Sequence, residues 1–192
     1  KADLECRLMV LGGGPGGYEA ALVAAQFGAR VTVIESGGIG GAAVLTDCVP
    51  SKTLIATAER VGRANLSGQL GVRVAGQAPG PGTVSVDFPW LNRRVLDPAA
   101  AQSEDITGRR RDAGVNTVYG HGRLVDRHRV VVDERSYSAD VILLATGARP
   151  RELAAARPDG ERILTWQRLY DLKELPARLI VVGSGVTGAE FA

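Results

Sequence analysis

Residues 7–35 read RLMVLGGGPGGYEAALVAAQFGARVTVIE, and this stretch decides the fold. The short apolar run at 7–11 is typical of a parallel strand that is buried on both faces. A glycine-rich turn follows, and the alanine-rich segment from Tyr18 to Phe27 then predicts a helix that Gly28 ends. The β-branched run from Arg30 to Glu35 predicts a second strand. Together these segments predict a strand–helix–strand unit with a right-handed crossover.

The turn between the first strand and the helix has the spacing GxGxxG. In this pattern the first glycine permits a tight turn, the second lets the backbone approach a pyrophosphate, and the third lets helix and strand pack closely. The N-terminus of the helix then offers unpaired N–H groups and a partial positive charge to the phosphates. An acidic residue closes the second strand, where such a side chain hydrogen-bonds a ribose hydroxyl. The sequence therefore predicts a nucleotide site, in preference to a purely structural glycine turn, at Gly12, Gly14, Pro15, Gly16, Gly17 and Glu35.

Further elements follow along the chain. Pro50 predicts the first position of a helix that continues through Arg60. Asp97 and Pro98 are typical of an N-cap and a first-turn proline, and they predict a helix that ends near Ala113. Residues 65–82 are rich in glycine and proline and predict a surface excursion, and residues 117–139 predict an antiparallel meander. Residues 140–146 predict another buried strand, and residues 179–182 predict the strand that leads into a second dinucleotide turn.

Composition excludes several classes of protein. With 45% hydrophobic and 23% charged residues, the 192-residue chain is expected to form one globular domain and part of a second. The net charge is only +2, and the triplet 109–111 beside Asp112 is typical of a solvated helix face, so no nucleic-acid partner is predicted. No apolar run approaches the roughly 18 residues of a membrane span, and no signal-peptide pattern is present, so we expect a cytoplasmic protein. His121 and His128 lack partners at metal-ligand spacing, so no metal site is predicted.

Residues 40–52 read GGAAVLTDCVPSK and resemble the redox segment GGxCxxxxCxPSK of the flavoprotein disulfide reductases. Residues 143–147, LLATG, are similar to the ATG segment with which that family returns to its flavin, and residues 183–188 are similar to its NAD(P)H-binding turn. The resemblance implies an α/β fold, with a Rossmann-like FAD-binding domain of parallel sheet, helices and a small antiparallel β-meander, followed by the start of a second Rossmann-like NAD(P)-binding domain. We expect the first domain at 1–150, a linker at 151–178 and the second domain from 179.

The resemblance also implies the cofactors and the site. FAD would be bound, and NAD(P)H would be the co-substrate. Cys48 would face the flavin ring, where the helix N-terminus and Lys52 favour its thiolate, although a buried cysteine kept for packing is the alternative. Lys52 and Glu190 match an ion pair near the flavin that would stabilise its reduced form. The candidate catalytic residues are therefore Cys48, Lys52 and Glu190, and the further cofactor-binding residues are Gly41, Lys52, Ala145, Thr146, Gly147, Gly183, Gly185 and Gly188.

One departure from the family pattern decides the expected reaction. Ala43 stands where the family has its first redox cysteine, so Cys48 has no partner there. Cys6 lies before the first strand, roughly 20 Å from the phosphate end at about 3.3 Å per residue. A dithiol cycle needs sulfurs that can approach to about 2 Å, so reduction of a disulfide substrate is not expected.

We therefore expect a flavoprotein that passes electrons from NAD(P)H to a quinone or another small acceptor. The run at 38–52 resembles the actinobacterial NAD(P)H-quinone reductase branch, whose members are often labelled lipoamide dehydrogenase homologues. The chain would be the N-terminal part of a homodimer that is joined through a C-terminal domain, and it would be inactive alone. The alternatives are a dihydrolipoamide dehydrogenase, a non-catalytic redox-sensing module that binds flavin, and a simple NAD-dependent dehydrogenase.

Overall fold

The structure is a computed structural model that describes residues 6–192. The chain divides into two compact units, one of residues up to Cys48 together with Ala99–Arg149, the other of Val49–Pro98 together with Pro150–Ala192. The elements are β1 (Arg7–Leu11), α1 (Pro15–Gln26), β2 (Arg30–Glu35), α2 (Gly41–Leu45), α3 (Cys48–Leu66), α4 (Phe88–Asp112), β3 (Asn116–Tyr119), β4 (Arg123–Asp126), β5 (Arg129–Val132), β6 (Arg135–Ser138), β7 (Val141–Leu144) and α5 (Val186–Glu190), with 3₁₀ turns at Ser67–Leu70 and Trp166–Asp171.

The first unit is built on a parallel sheet with the strand order β3-β2-β1-β7. Its central strand β1 is buried on both faces, as the apolar run predicts. On one face Val10 packs with Ala21 of α1, and on the other Met9 and Leu11 pack with Val130 of a second, antiparallel sheet of β4, β5 and β6. The predicted strand–helix–strand unit and its Rossmann-like sheet are therefore confirmed.

The predicted antiparallel meander is wrong at its start. Residues 116–119 form a parallel strand beside β2, with Thr32 opposite Asn116 and Glu35 opposite Tyr119, and only residues 123–138 form the antiparallel sheet. This strand is packed on both faces, because Val118 contacts the core shared with the antiparallel sheet while Thr117 accepts a hydrogen bond from Arg110 of α4. Such two-sided packing is typical of a parallel strand.

The helix predicted to start at Pro98, after the N-cap Asp97, begins ten residues earlier, at Phe88. Asp87 is the cap, since its side chain accepts a hydrogen bond from the N–H of Trp90 at 2.9 Å. Pro98 lies inside the helix. Burial of Leu91, Val95 and Ala99, at helical spacing, supports continuation of the helix through the proline.

Arg110 also departs from prediction, because it is not part of a solvated helix face. It is 1% exposed, and its guanidinium donates a hydrogen bond to Thr117. Burial lowers the pKa of its guanidinium, which the charge of Glu35 partly opposes. Its neighbours Arg109 and Arg111 are exposed and pair with Asp105 and Asp112, as surface arginines do.

The strand predicted at 179–182 is not formed. These residues are outside every strand that the structure describes, and Ile180 and Val182 are 87% and 75% exposed. A parallel strand needs a neighbour for its backbone N–H and C=O groups, and within residues 6–192 none pairs with this segment. The glycine turn after it is nevertheless formed, as described below.

Arg7 and Asp140 join the starts of β1 and β7. The Asp140 carboxylate accepts hydrogen bonds from the backbone N–H of Arg7 at 2.9 Å and from its guanidinium at 2.8 Å, and these bonds lower the Asp140 pKa to about 2. A carboxyl whose pKa is lowered in the folded state adds stability above its ordinary pKa of 3.8, and this stability is lost as the pH falls through about 2.

We predict that the pH dependence of stability differs between the wild-type chain and Asp140→Asn. The wild type loses part of its free energy of unfolding between pH 3.8 and about 2, and the variant lacks that part of the profile. Urea unfolding at a series of pH values measures this. Asp112→Asn, which removes an exposed carboxylate of α4, is the control that keeps the wild-type profile. An unchanged profile in Asp140→Asn would contradict the assignment.

Candidate functional site

The glycine turn between β1 and α1 is closed by backbone contacts that leave no room for a side chain at Gly12 or Gly17. Gly12 has a φ of +104°, and its N–H donates to the carbonyl of Ile34 at 2.8 Å. A Cβ on Gly17 would collide with the carbonyl oxygen of Gly12, and a Cβ on Gly12 would collide with the carbonyl oxygen of Ala145. The first and third glycines of the motif therefore have the steric roles that the spacing predicts.

The N-terminus of α1 is left uncapped by side chains. The helix begins at Pro15, its N-cap is Gly14, and neither a capping side chain nor an acidic residue lies in its first turn. A Cβ on Gly16 would meet nothing within 4 Å, so the space beside the first turn is open. An uncapped helix end with open space beside it fits an anionic group.

Glu35 is fixed by three backbone N–H groups at the end of β2. Its carboxylate accepts hydrogen bonds from Gly13 and Gly37, both at 2.5 Å, and from Gly38 at 3.1 Å. The side chain is buried, and a carboxylate can accept about four hydrogen bonds in all. Glu35 thus ties the glycine turn to the loop after β2 and keeps capacity for one more donor, as a ribose hydroxyl would supply.

The segment at 38–45 lies against the glycine turn. The N–H of Gly40 donates to the carbonyl of Gly13 at 2.8 Å, and a Cβ on Gly41 would lie 2.8 Å from the Cα of Gly14. Gly41 has a φ of +57°, so a side chain there would add backbone strain as well. The structure therefore places Gly41 directly beside the predicted phosphate turn.

A cleft of about 370 Å³ opens at the carboxyl ends of the parallel strands. This edge is where open α/β sheets bind their ligands. Thr146 and Gly147 lie in it, and Ala145 joins it to β1 by donating its N–H to the carbonyl of Leu11 at 2.8 Å. The lining residues are Leu11, Gly12, Ile34, Glu35, Ser36, Gly120, His121, Gly122, Thr146, Gly147, Ala148 and Arg149.

Sequence reasoning missed one side of this cleft. Gly120, His121 and Gly122 follow β3, and they were assigned to the meander rather than to the binding edge. Recognition of 116–119 as a parallel strand would have located them, because the carboxyl ends of parallel strands meet at one edge.

Among residues 6–192, no three histidine, cysteine or acidic side chains are grouped so that they could hold a metal ion. No helix in the described part of the chain is long and apolar enough to cross a membrane.

Lys52 and Glu190 form an ion pair in the second unit. The Glu190 side chain is 15% exposed, and Lys52 is 59% exposed. Hydrogen bonds from Lys52 and then from Ser51 lower the pKa of the Glu190 carboxyl, which is therefore ionised at neutral pH. The structure thus brings together two of the three candidate catalytic residues.

The two cysteines are free and exposed. Cys48 is the first residue of α3, so this helix begins two residues before the predicted first position at Pro50. Cys6 lies before β1, at the end of the strand opposite to the glycine turn. Ala43 lies within α2, so this helix carries no sulfur.

The second glycine turn repeats the geometry of the first. Gly183 has a φ of +138°, Gly185 caps the short helix α5, and a Cβ on Gly188 would collide with the carbonyl oxygen of Gly183. Gly12, Gly14 and Gly17 stand in the same relations. The sequence repeat between the two motifs is thus also a structural repeat.

Comparison with known proteins agrees with this geometry. Residues 6–192 match the family model described as pyridine nucleotide-disulphide oxidoreductase. The chain belongs to this family. Membership implies FAD as the cofactor, and the uncapped N-terminus of α1 and the cleft beside Glu35 suit its pyrophosphate and its ribose.

Individual relatives divide into two groups by name. An NAD(P)H dehydrogenase (quinone) of Mycobacterium tuberculosis is 49% identical to this chain, and the match covers 96% of the chain. A dihydrolipoyl dehydrogenase of Chlorobaculum parvum is 35% identical, and that match covers 95% of the chain. The chain spans 39% of the length of each. The crystal structure of LpdA from Mycobacterium tuberculosis has a TM-score of 0.82 at 48% identity, covering 97% of this chain and 41% of that one.

Proposed function

We propose that the whole protein is an FAD-dependent oxidoreductase that passes electrons from NAD(P)H to a quinone-like acceptor without a redox disulfide. The observation that carries the proposal is Ala43 in α2, where the family pattern has a cysteine, while the rest of the pattern through Cys48, Pro50, Ser51 and Lys52 is intact. A single thiol cannot complete a dithiol cycle. The 49% identity to a protein named NAD(P)H dehydrogenase (quinone) supports the acceptor class.

We propose roles for the chain's own residues as follows. The backbone from Gly12 to Gly17 and the N-terminus of α1 bind the pyrophosphate, Glu35 binds the adenosine ribose, and Gly41, Ala145, Thr146 and Gly147 border the cofactor. Bound FAD supplies the redox chemistry, which is to take hydride from NAD(P)H and deliver two electrons to the acceptor. The remaining residues position and stabilise it.

Lys52, Glu190 and Cys48 are the proposed catalytic residues. The ammonium of Lys52 would supply a positive charge that stabilises the reduced cofactor, and the ionised Glu190 carboxylate holds that ammonium in place. Cys48 at the start of α3 presents a thiol without a partner. We propose that the second glycine turn, with Gly183, Gly185 and Gly188, begins the NAD(P)H site. A side chain at Gly188 would collide with the carbonyl of Gly183, as a side chain at Gly17 would collide with that of Gly12.

The organisation of the whole protein is also proposed. Residues 1–150 would be the FAD-binding domain, 151–178 a linker, and 179–192 the start of the NAD(P)H-binding domain. A cytoplasmic homodimer joined through a C-terminal domain is what the family resemblance implies. The scarcity of cysteine is consistent with a reducing compartment.

The test is an anaerobic reductive titration of the whole protein, followed at the flavin's visible absorbance. We expect a yellow protein that takes up two electrons per FAD and oxidises NADH or NADPH with menadione as the acceptor. Ala43→Cys is the matched variant, and it is expected to take up four electrons because a second thiol can then pair with Cys48. Uptake of four electrons by the unmodified protein would contradict the proposal and favour a dihydrolipoamide dehydrogenase. Flavin binding without oxidation of NADH or NADPH by any quinone would instead favour a redox-sensing module.

A further inference from the structure

A second cavity, of about 650 Å³, lies within the second unit between α3 and α4. Five lining residues share one face of α3, namely Lys52, Thr53, Ala56, Thr57 and Arg60. The other two, Trp90 and Arg94, lie one turn apart on α4. The volume is within the range of about 300–1,000 Å³ that small-molecule sites occupy. None of the proposed roles in flavin binding uses Arg60, Trp90 or Arg94.

The charge of this cavity is unbalanced. Its lining residues include Lys52, Arg60 and Arg94 but no carboxylate. Lys52 is paired with Glu190, whereas neither arginine is in an ion pair with any of residues 6–192. Two guanidinium groups without a counter-ion in one concave site suit a phosphate, carboxylate or sulfonate, because each can bind such a group through two N–H donors.

An aromatic ring stands beside these cations. The indole of Trp90 is 54% exposed, and the guanidinium carbon of Arg94 lies 5.8 Å from its ring centroid. This cation–π contact holds Arg94 next to the ring. The guanidinium lies over one face of the indole, so a flat ligand that stacks on Trp90 either uses the opposite face or moves Arg94 aside, and in both cases the cation stays beside the ring.

The hydroxyl groups of the cavity do not compete for the anion. Thr53 donates to the carbonyl of Val49 at 3.0 Å, and Thr57 donates to the carbonyl of Thr53 at 3.1 Å. Each hydroxyl hydrogen is thus committed to the helix backbone, and the threonine oxygens can only accept hydrogen bonds from a ligand. The anionic group is assigned to the arginines for this reason.

We propose that this cavity binds a flat aromatic compound that carries an anionic group, with its ring against Trp90 and its anion held by Arg60 and Arg94. Of the lining residues, Lys52 alone has a role in the flavin chemistry proposed above, and the two arginines and Trp90 that carry this proposal have none. Two sources share this chemistry, a nucleoside monophosphate and a sulfonated or carboxylated quinone. The experiment separates them.

The test uses the 192-residue chain with Trp166→Phe, which leaves Trp90 as the single tryptophan and makes its fluorescence a local reporter. Anthraquinone-2-sulfonate and adenosine 5′-monophosphate are titrated in separate experiments, with neutral menadione for comparison. We expect saturable quenching by at least one of the two anionic probes, weaker binding at high salt, and no saturable quenching by menadione. A response to the sulfonate alone assigns the site to quinones, and a response to the nucleotide alone assigns it to nucleotides.

Substitutions decide where the probe binds. Arg60→Gln and Arg94→Gln are each expected to weaken binding about tenfold or more, because each removes a charged hydrogen-bonding partner. Arg63→Gln and Arg93→Gln change neighbouring exposed arginines outside the lining and are expected to leave binding unchanged. Circular dichroism checks that all four variants keep the helices. Equal affinity across the four variants, equal binding of menadione, or no saturable binding of either anion would overturn the proposal.

Discussion

Gly17→Ala is expected to abolish flavin retention and to destabilise the chain, although it adds only one methyl group. The new Cβ would collide with the carbonyl oxygen of Gly12 and lie 3.3 Å from the Cβ of Ala145. Relief requires α1 to move away from β1, and the phosphate-binding backbone moves with it. We expect a loss of about 3 kcal/mol in the free energy of unfolding and at least a hundredfold loss of FAD affinity.

Gly108→Ala is the matched control, because the same methyl group is added to a helical glycine of α4, in the same unit but away from the glycine turn. A Cβ at Gly108 meets nothing within 4 Å, and alanine is favoured over glycine in a helix by up to about 1 kcal/mol. We expect this variant to bind FAD and to be as stable as the wild type or more so. Flavin content after gel filtration and urea unfolding measure both effects. Similar behaviour of the two variants would refute the steric role of Gly17.

The parts of the fold that sequence predicts well are those whose signals are local. The first strand, the glycine turn, α1 and the second strand follow one another within residues 7–35, and each is marked by its own spacing or composition. The glycine spacing also predicts the steric contacts of Gly12 and Gly17, since only one close-packed geometry suits it. The repeat of this spacing from Gly183 predicts the second turn in the same way.

Features that depend on distant partners were not predictable in this way. The strand at Asn116–Tyr119 is four residues long, and its partner β2 lies about eighty residues earlier in the chain. Nothing in its own alternation distinguishes a parallel edge strand from the first strand of a hairpin. One side of the cleft, at Gly120–Gly122, was missed for the same reason.

Helix α4 illustrates a different limit, because two proline signals compete. Pro89 follows Asp87 with one residue between them, and Pro98 follows Asp97 directly, so both sites have the residue types of a helix start. The choice is made by burial of Leu91 and Val95, which pack with Tyr170 from a remote part of the second unit. Tertiary packing therefore overrides the helix-breaking tendency of Pro98.

Glu35→Gln is expected to destabilise the chain although the new side chain has the same shape. The carboxylate accepts from Gly13 through one oxygen and from Gly37 and Gly38 through the other. An amide replaces one acceptor with an NH₂ group, so in either orientation two donors face each other at a buried position. We expect a loss of about 2–4 kcal/mol in the free energy of unfolding, since bonds to a charged group are removed and a buried donor is left unsatisfied.

The same substitution at Glu19 separates this effect from a general loss of negative charge. Glu19 is an exposed carboxylate on α1, and Glu19→Gln is expected to change stability by less than about 0.5 kcal/mol. Urea unfolding measures both variants, and a lower midpoint with an unchanged slope identifies a true loss of stability. FAD affinity should fall in Glu35→Gln as well, because the loop after β2 and the glycine turn are then no longer tied to one carboxylate. Stability and affinity equal to those of Glu19→Gln would mean that the three hydrogen bonds contribute nothing to the site.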